Sequence, residues 1–139
     1  MKSKTISQNV LIKVPVQKVY NAFMNEEQHK DFTGFSAKIE NRVGGEFLTC
    51  GERNFGYSLF LEPGQRIIQA WSHKDFPDNQ YSIIDIKLVE SKDGHTELIF
   101  HQLGTPAECV EWLIPGWEST YWTPLKKYLE GGIIQSPRE

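Results

Sequence analysis

Long apolar runs, cysteines and clustered basic charge are all scarce in this 139-residue chain. The longest apolar stretches, such as that from Tyr57 to Leu61, are far too short to cross a bilayer, which takes about 20 residues of helix. Membrane insertion is therefore not expected. Met1-Lys2-Ser3-Lys4 carries charge but no apolar segment of signal-peptide length, so a cytoplasmic location is expected. The two cysteines, Cys50 and Cys109, are distant in sequence and form no C-x-x-C pair. They read as free thiols of a reducing compartment. A formal net charge of −3 and the lack of a basic stripe argue against nucleic acid as a partner.

Motifs of the common chemistries are missing too. There is no G-x-S-x-G, Walker or Rossmann pattern. His29, His95 and His101 are dispersed, without the H-x-x-x-H or Cys/His spacing of a zinc site. No metal, cofactor or catalytic set is expected on these grounds. Gly44-Gly45 reads as a strand break that allows close backbone approach. It is not read as a phosphate cradle, because no helix follows it.

What the chain does have is aromatic mass: 12% of its residues, including four tryptophans. That is enough for one core and for the wall of a pocket. The length suits one domain spanning 1–139, with a core over about 5–130 and a tail over 131–139. Thr5 to Lys13 alternates as a half-buried strand with Ile6, Val10 and Ile12 on one face. Pro15 opens a helix where its missing N–H is harmless, and Val16, Val19, Tyr20 and Phe23 then make one apolar stripe. A second short helix covers Glu26 to Phe32, with its acids in the first turn, and ends at Thr33-Gly34.

From there to Leu103 the chain reads as strands. Turns are expected at Gly44-Gly45, Gly51, Gly56, Pro63-Gly64, Pro77-Asp78-Asn79 and Asp93-Gly94. Asp-Gly between two alternating runs is a hairpin signal, and the succession implies an antiparallel meander. Thr105 is expected to cap a helix that begins at Pro106. Pro115-Gly116 is expected to interrupt it, with a longer helix from about Trp117 to Glu130. On that helix Trp117, Tyr121, Leu125 and Tyr128 share a side, and Trp122 lies at its edge. Pro124 removes the N–H that would bond Thr120, so a bend is expected there.

This order of elements resembles the helix-grip fold of START-like (SRPBCC) domains. Within that superfamily the chain is most similar to the family named for the activator of 90-kDa heat-shock protein ATPase. The resemblance is carried by several segments in order. They are Val14-Pro15-Val16, Gly44-Gly45-Glu46-Phe47, Leu61-Glu62-Pro63, Ile67-Ile68 through Trp71, Thr96-Glu97-Leu98, Gly104-Thr105-Pro106 and Gly116-Trp117. Phe76-Pro77 stands where a Trp-Pro pair is usual. The resemblance implies an α+β helix-grip fold: a curved antiparallel sheet of six or seven strands around a long C-terminal helix, with two short helices after the first strand. It also implies a chaperone as a partner. The eukaryotic activator has a further N-terminal domain, and a chain of this length is expected to be the standalone C-terminal-type domain.

Such a fold leaves space between sheet and helix. Ile84 and Ile86 alternate with Asp85 and Lys87 and lie on the dry face. Leu98, Phe100 and Gln102 are expected to point inward, and Trp71 and His73 share a face by alternation. With Trp117, Tyr121 and Trp122 from the helix, these residues are the candidate lining of a cavity for a small hydrophobic ligand. Gln102 either bonds near Thr105 or orients that ligand. His73-Lys74-Asp75 offers base, cation and acid, but neighbours in a strand point different ways and do not make a relay. Glu108, Glu111 and Glu118 are expected to form a solvated rim. Three functions follow in order of expectation: non-enzymatic binding of an apolar or amphipathic ligand, a chaperone-regulating interaction module, and an enzyme like the polyketide cyclases, with His73 its one nominee.

Overall fold

The chain opens with strand β1 (Ser3–Ile12), whose inward residues Ile6 and Ile12 are fully buried while Leu11 faces solvent. Helices α1 (Val16–Met24) and α2 (Glu26–Thr33) follow. These assignments come from a computed structural model that describes residues 2–78 and 80–131. Asn25 ends α1, and its side-chain oxygen accepts from the Gln28 N–H at 2.9 Å to start α2. Glu26 and Glu27 occupy the first turn, where the helix dipole favours acids. Gly34 stops α2 in the left-handed conformation at φ 78°.

Six strands then run as a meander: β2 (Lys38–Ile39), β3 (Glu46–Thr49), β4 (Asn54–Glu62), β5 (Arg66–His73), β6 (Ser82–Glu90) and β7 (Thr96–Pro106). Every pairing is antiparallel, and β1 closes on β7 to give the order β1-β7-β6-β5-β4-β3-β2. The Asp93-Gly94 hairpin joins β6 to β7 as expected. Of the Pro77-Asp78-Asn79 turn, Asn79 lies outside the described residues, as does the tail over 132–139.

Two glycines matter sterically, and one of them, Gly56, lies inside β4 and not at the turn expected there. A Cβ on Gly56 would stand 1.9 Å from the Ala70 carbonyl oxygen on the paired strand, and one on Gly45 would stand 2.4 Å from the Glu40 carbonyl oxygen. Both positions hold main chains closer than any side chain permits.

After β7 the chain is helical throughout: a 3-10 turn (Ala107–Cys109), α3 (Val110–Gly116), a π-helical segment (Trp117–Trp122) and α4 (Thr123–Leu129). Two expectations are corrected here. Thr105 does not cap the helix: its hydroxyl donates to the Gln102 carbonyl at 3.0 Å, and Pro106 holds the cap position without a side-chain bond. Nor does Pro115-Gly116 break the run, because Gly116 keeps right-handed helical angles, φ −63° and ψ −43°. The irregularity falls one turn later. Pro124 has no N–H for the Thr120 carbonyl and its ring would crowd that oxygen. Instead the Thr123 N–H reaches back five residues to the Glu118 carbonyl, the pattern of a π turn.

The helical run lies in the concavity of the sheet. Leu113, Trp117, Tyr121, Trp122 and Leu125 are buried against Ile67, Ile84, Ile86, Leu98 and Phe100. The run also ties down β1, at one margin of the sheet. Gln8 donates to the Ile114 carbonyl at 3.1 Å and accepts from the Trp122 indole at 2.7 Å. Lys126 donates to the Leu11 carbonyl at 2.8 Å, and the Glu130 carboxylate accepts from the Lys13 N–H at 2.7 Å. Lys126, bonded to Glu130, holds the Glu130 carboxyl below its ordinary range.

Candidate functional site

The π segment decides which rings meet. Residues five apart stand about 140° apart on an α-helix, so Trp117 and Trp122 would not share a face. Here their rings stack, with centroids 5.4 Å apart and planes at 13°. Phe100 packs under both, at 4.6 and 5.1 Å. The centre of the sheet is thus filled by the helix that crosses it.

Gln102, fully buried on β7, joins this block by polar contacts. Its oxygen accepts from the Trp117 indole N–H at 2.8 Å, and its amide donates to the Ser82 hydroxyl at 2.9 Å. Ser82 in turn donates to the Trp71 carbonyl at 3.0 Å. A buried amide with both ends used is satisfied within the core.

At the β3–β4 end the helix does not fill the sheet. A cleft of about 320 Å³ opens there, between the turn Cys50–Arg53, the start of β4, the end of β5 and the helical residues Trp112 to Tyr121. Its walls are aromatic. Trp71 faces Trp117 at 5.4 Å, Trp117 faces Tyr121 at 4.9 Å, and Trp112 lies against the His73 ring at 4.7 Å. Leu113 and Phe35 add apolar surface, and Gly116 leaves room where a side chain would intrude. Polar groups come from Cys50, Arg53, Asn54, His73, Asp75 and Thr120.

The ten residues expected to line a cavity therefore divide. Trp71, His73, Trp117 and Tyr121 line the cleft. Ile84, Ile86, Leu98, Phe100, Gln102 and Trp122 do not line it and are buried in the block described above. Sequence reasoning missed Arg53, Asn54 and Thr120, which sit on no periodic stripe. It also missed Trp112 and Gly116, which precede the point where the long helix was expected to begin.

His73 accepts the Asp75 N–H on Nδ1 at 3.0 Å, while the Asp75 carboxylate is 3.9 Å from the same nitrogen. A nitrogen that accepts carries no proton for that carboxylate, so the pair is not a His–Asp relay. Burial lowers the His73 pKa and favours the neutral ring, while the Asp75 carboxylate acts more weakly in the opposite direction. Behind Tyr121 lies a second titratable pair. His29 is wholly buried, donates from Nδ1 to the Phe23 carbonyl at 2.8 Å and meets the Tyr121 hydroxyl at 2.9 Å. Burial lowers its pKa to about 4 and raises that of Tyr121 well above the ordinary value. The Cys50 thiol donates to the Tyr121 oxygen at 3.4 Å. Among the described residues no three acidic, histidine or cysteine side chains gather as a metal site, and no helix is long and apolar enough to cross a membrane.

A family model described as activator of Hsp90 ATPase homolog 1-like protein matches residues 13–130. The chain belongs to this family. Among its relatives, the human activator of 90 kDa heat shock protein ATPase homolog 1 is 28% identical over 90% of this chain and 40% of its own length. The chain spans about 40% of the length of this relative and of the mouse homologue. In fold it is similar to an HSP90 activator from Plasmodium falciparum, with TM-score 0.80 and 21% identity over 84% of this chain and 89% of that one. It is also similar to the Aha1 of Colwellia psychrerythraea, solved as a dimer, with TM-score 0.76 and 18% identity over 93% and 98%. Family and topology agree: this is an α+β helix-grip domain of the START-like type.

Proposed function

We propose that this protein is a START-like binding domain that takes a small aromatic or amphipathic molecule in the cleft between β4, β5 and the terminal helical run. The observation that carries this is the cleft itself: about 320 Å³ walled by Trp71, Trp112, Trp117 and Tyr121. The volume lies at the small end of ligand pockets, and aromatic walls with a few convergent polar groups are their usual make-up. Binding rests on apolar area removed from water, at roughly 25 cal/mol per Å² before ordering costs. No reaction step is assigned to the site.

Gly116 provides the test. It lines the cleft in ordinary helical geometry, and a Cβ there meets nothing within 4 Å. Gly116→Leu should fold at least as well as the parent, because glycine costs a helix about 1 kcal/mol, and should plug the cleft. The wild type is expected to show a thermal shift with aromatic fragments and, by native mass spectrometry from its own host, a retained small molecule. Gly116→Leu is expected to show neither. Equal binding by both proteins would overturn the reading.

A second reading follows from the relatives named as activators of a 90-kDa heat-shock protein ATPase: the domain contacts a chaperone. Glu108, Glu111 and Glu118 are exposed beside the cleft-forming helices and would face a basic partner surface. Reversal of all three to Lys should abolish co-purification with the host's chaperone and any stimulation of its ATPase. Unchanged stimulation would exclude this face.

A further inference from the structure

The turn between β3 and β4 places one cation in the cleft and fixes it from two sides. Cys50 and Glu52 hold this turn in left-handed backbone, at φ 53° and 71°. Arg53 donates from Nε to the Cys50 carbonyl at 2.8 Å, and its guanidinium carbon lies 4.5 Å from the centre of the Phe35 ring. One edge of the guanidinium is thereby used and its plane is set. Among the described residues, neither Nη meets an acceptor or an acid. The other two arginines among the described residues differ: Arg42 pairs with Glu40 and Arg66 with Asp85.

We infer that the cleft takes an aryl carboxylate, with its acid group on the end-on fork of Arg53 and its ring against Trp117 and Tyr121. The inference rests on the binding reading above and names the ligand class for the same site. Two parallel N–H donors at fixed spacing match the two oxygens of a carboxylate, and such charge-assisted pairs are short and directional. A dianion such as a phosphate monoester fits less well. The cleft wall carries a single arginine and also the Asp75 carboxylate, which repels a second negative charge. The pre-set guanidinium plane lowers the ordering cost on binding. With an overall charge of −3, the protein has no general attraction for anions, so selectivity for one would be local to this residue.

The test compares 2-naphthoate with its neutral isostere 2-naphthalenemethanol, by isothermal titration at pH 8 against the wild type, Arg53→Gln and Arg53→Lys. On the wild type the acid should bind about 10- to 100-fold more tightly than the alcohol, the scale of one charge-assisted pair. Arg53→Gln should erase that preference and leave alcohol affinity unchanged, which also reports that the turn is intact. Arg53→Lys, which keeps the charge without the fork, should restore only part of it. Equal affinities of acid and alcohol on the wild type would overturn the carboxylate inference and leave the cleft reading standing. Equal weakening of both probes in Arg53→Gln would overturn it as well, because Arg53 would then serve only the turn. If neither probe binds the wild type, the cleft reading falls with it.

Discussion

Tyr121 donates its hydroxyl hydrogen to Nε2 of His29 across 2.9 Å, joining the π turn to helix α2. The direction is dictated by the other ring nitrogen, which faces the Phe23 carbonyl and must carry the imidazole proton. His29 is therefore neutral, and protonating it would turn an acceptor into a donor aimed at a hydroxyl already flanked by Thr49 and Cys50.

Acid should loosen the fold through this histidine. Burial lowers its pKa from 6.5 to about 4 in the folded chain, so the unfolded chain takes up the proton first as pH falls. Stability from this group is whole above pH 6.5 and is lost progressively toward pH 4, by roughly 3 kcal/mol in all. His73, also lowered by burial, acts in the same direction. Denaturant titrations from pH 7 to 4 should show a steeper loss in the wild type than in His29→Gln, in which the Phe23 and Tyr121 bonds can persist without a titrating group. Parallel curves would remove His29 from the account.

Gln102 is the polar keystone of the interior. Gln102→Leu leaves the Trp117 indole N–H without its acceptor, and a buried donor left unpaired costs about 1–3 kcal/mol. Chemical denaturation is expected to show a loss in that range. A change below about 0.5 kcal/mol would mean that the indole finds water in the adjoining cleft.

Gly56→Ala tests the strand pairing. The added methyl would press on the Ala70 carbonyl at 1.9 Å, so β4 and β5 must separate locally. A loss near the upper end of overpacking effects, about 3 kcal/mol, is expected in thermal or denaturant unfolding, together with weakened amide protection along β4.

Two tryptophans of the cleft should respond differently to truncation. Trp71 is 3% exposed and packs on Trp117 and Phe76, so Trp71→Ala should cost ~3–5 kcal/mol. Trp112 is 39% exposed, and Trp112→Ala should cost about 1 kcal/mol while weakening the binding of aromatic fragments. The pair separates the wall that holds the fold from the wall that faces a ligand.

The parts of the fold legible in the sequence are those with short-range signatures. The α1 stripe, the Asp93-Gly94 hairpin and the inward set Leu98, Phe100 and Gln102 follow from periods of 3.6 and 2, which need no knowledge of the partner. The helical run was misread where local signals conflict with packing. Pro115-Gly116 reads as a break, yet burial of Leu113 and Trp117 on either side keeps it helical. Pro124 did announce an irregularity, but not that it would take the form of a π turn bringing Trp122 onto Trp117. Part of the cleft was invisible for another reason. Arg53, Asn54 and Thr120 come together only through the meander and the crossing helix, a relationship with no local pattern. His29 likewise looked isolated, because its partner Tyr121 is 92 residues away.

The ends of the sheet have a consequence for how the molecule keeps its own company. Any open strand margin displays amide and carbonyl groups on which a foreign strand can be templated. One border of this sheet, β2, is only Lys38–Ile39. The long opposite border is clasped at its far end by Lys126 and Glu130, which occupy a main-chain carbonyl at Leu11 and an amide at Lys13. Fibrillar growth by strand addition would need these clasps released, so loosening the carboxy-terminal helix is the step that would unmask it.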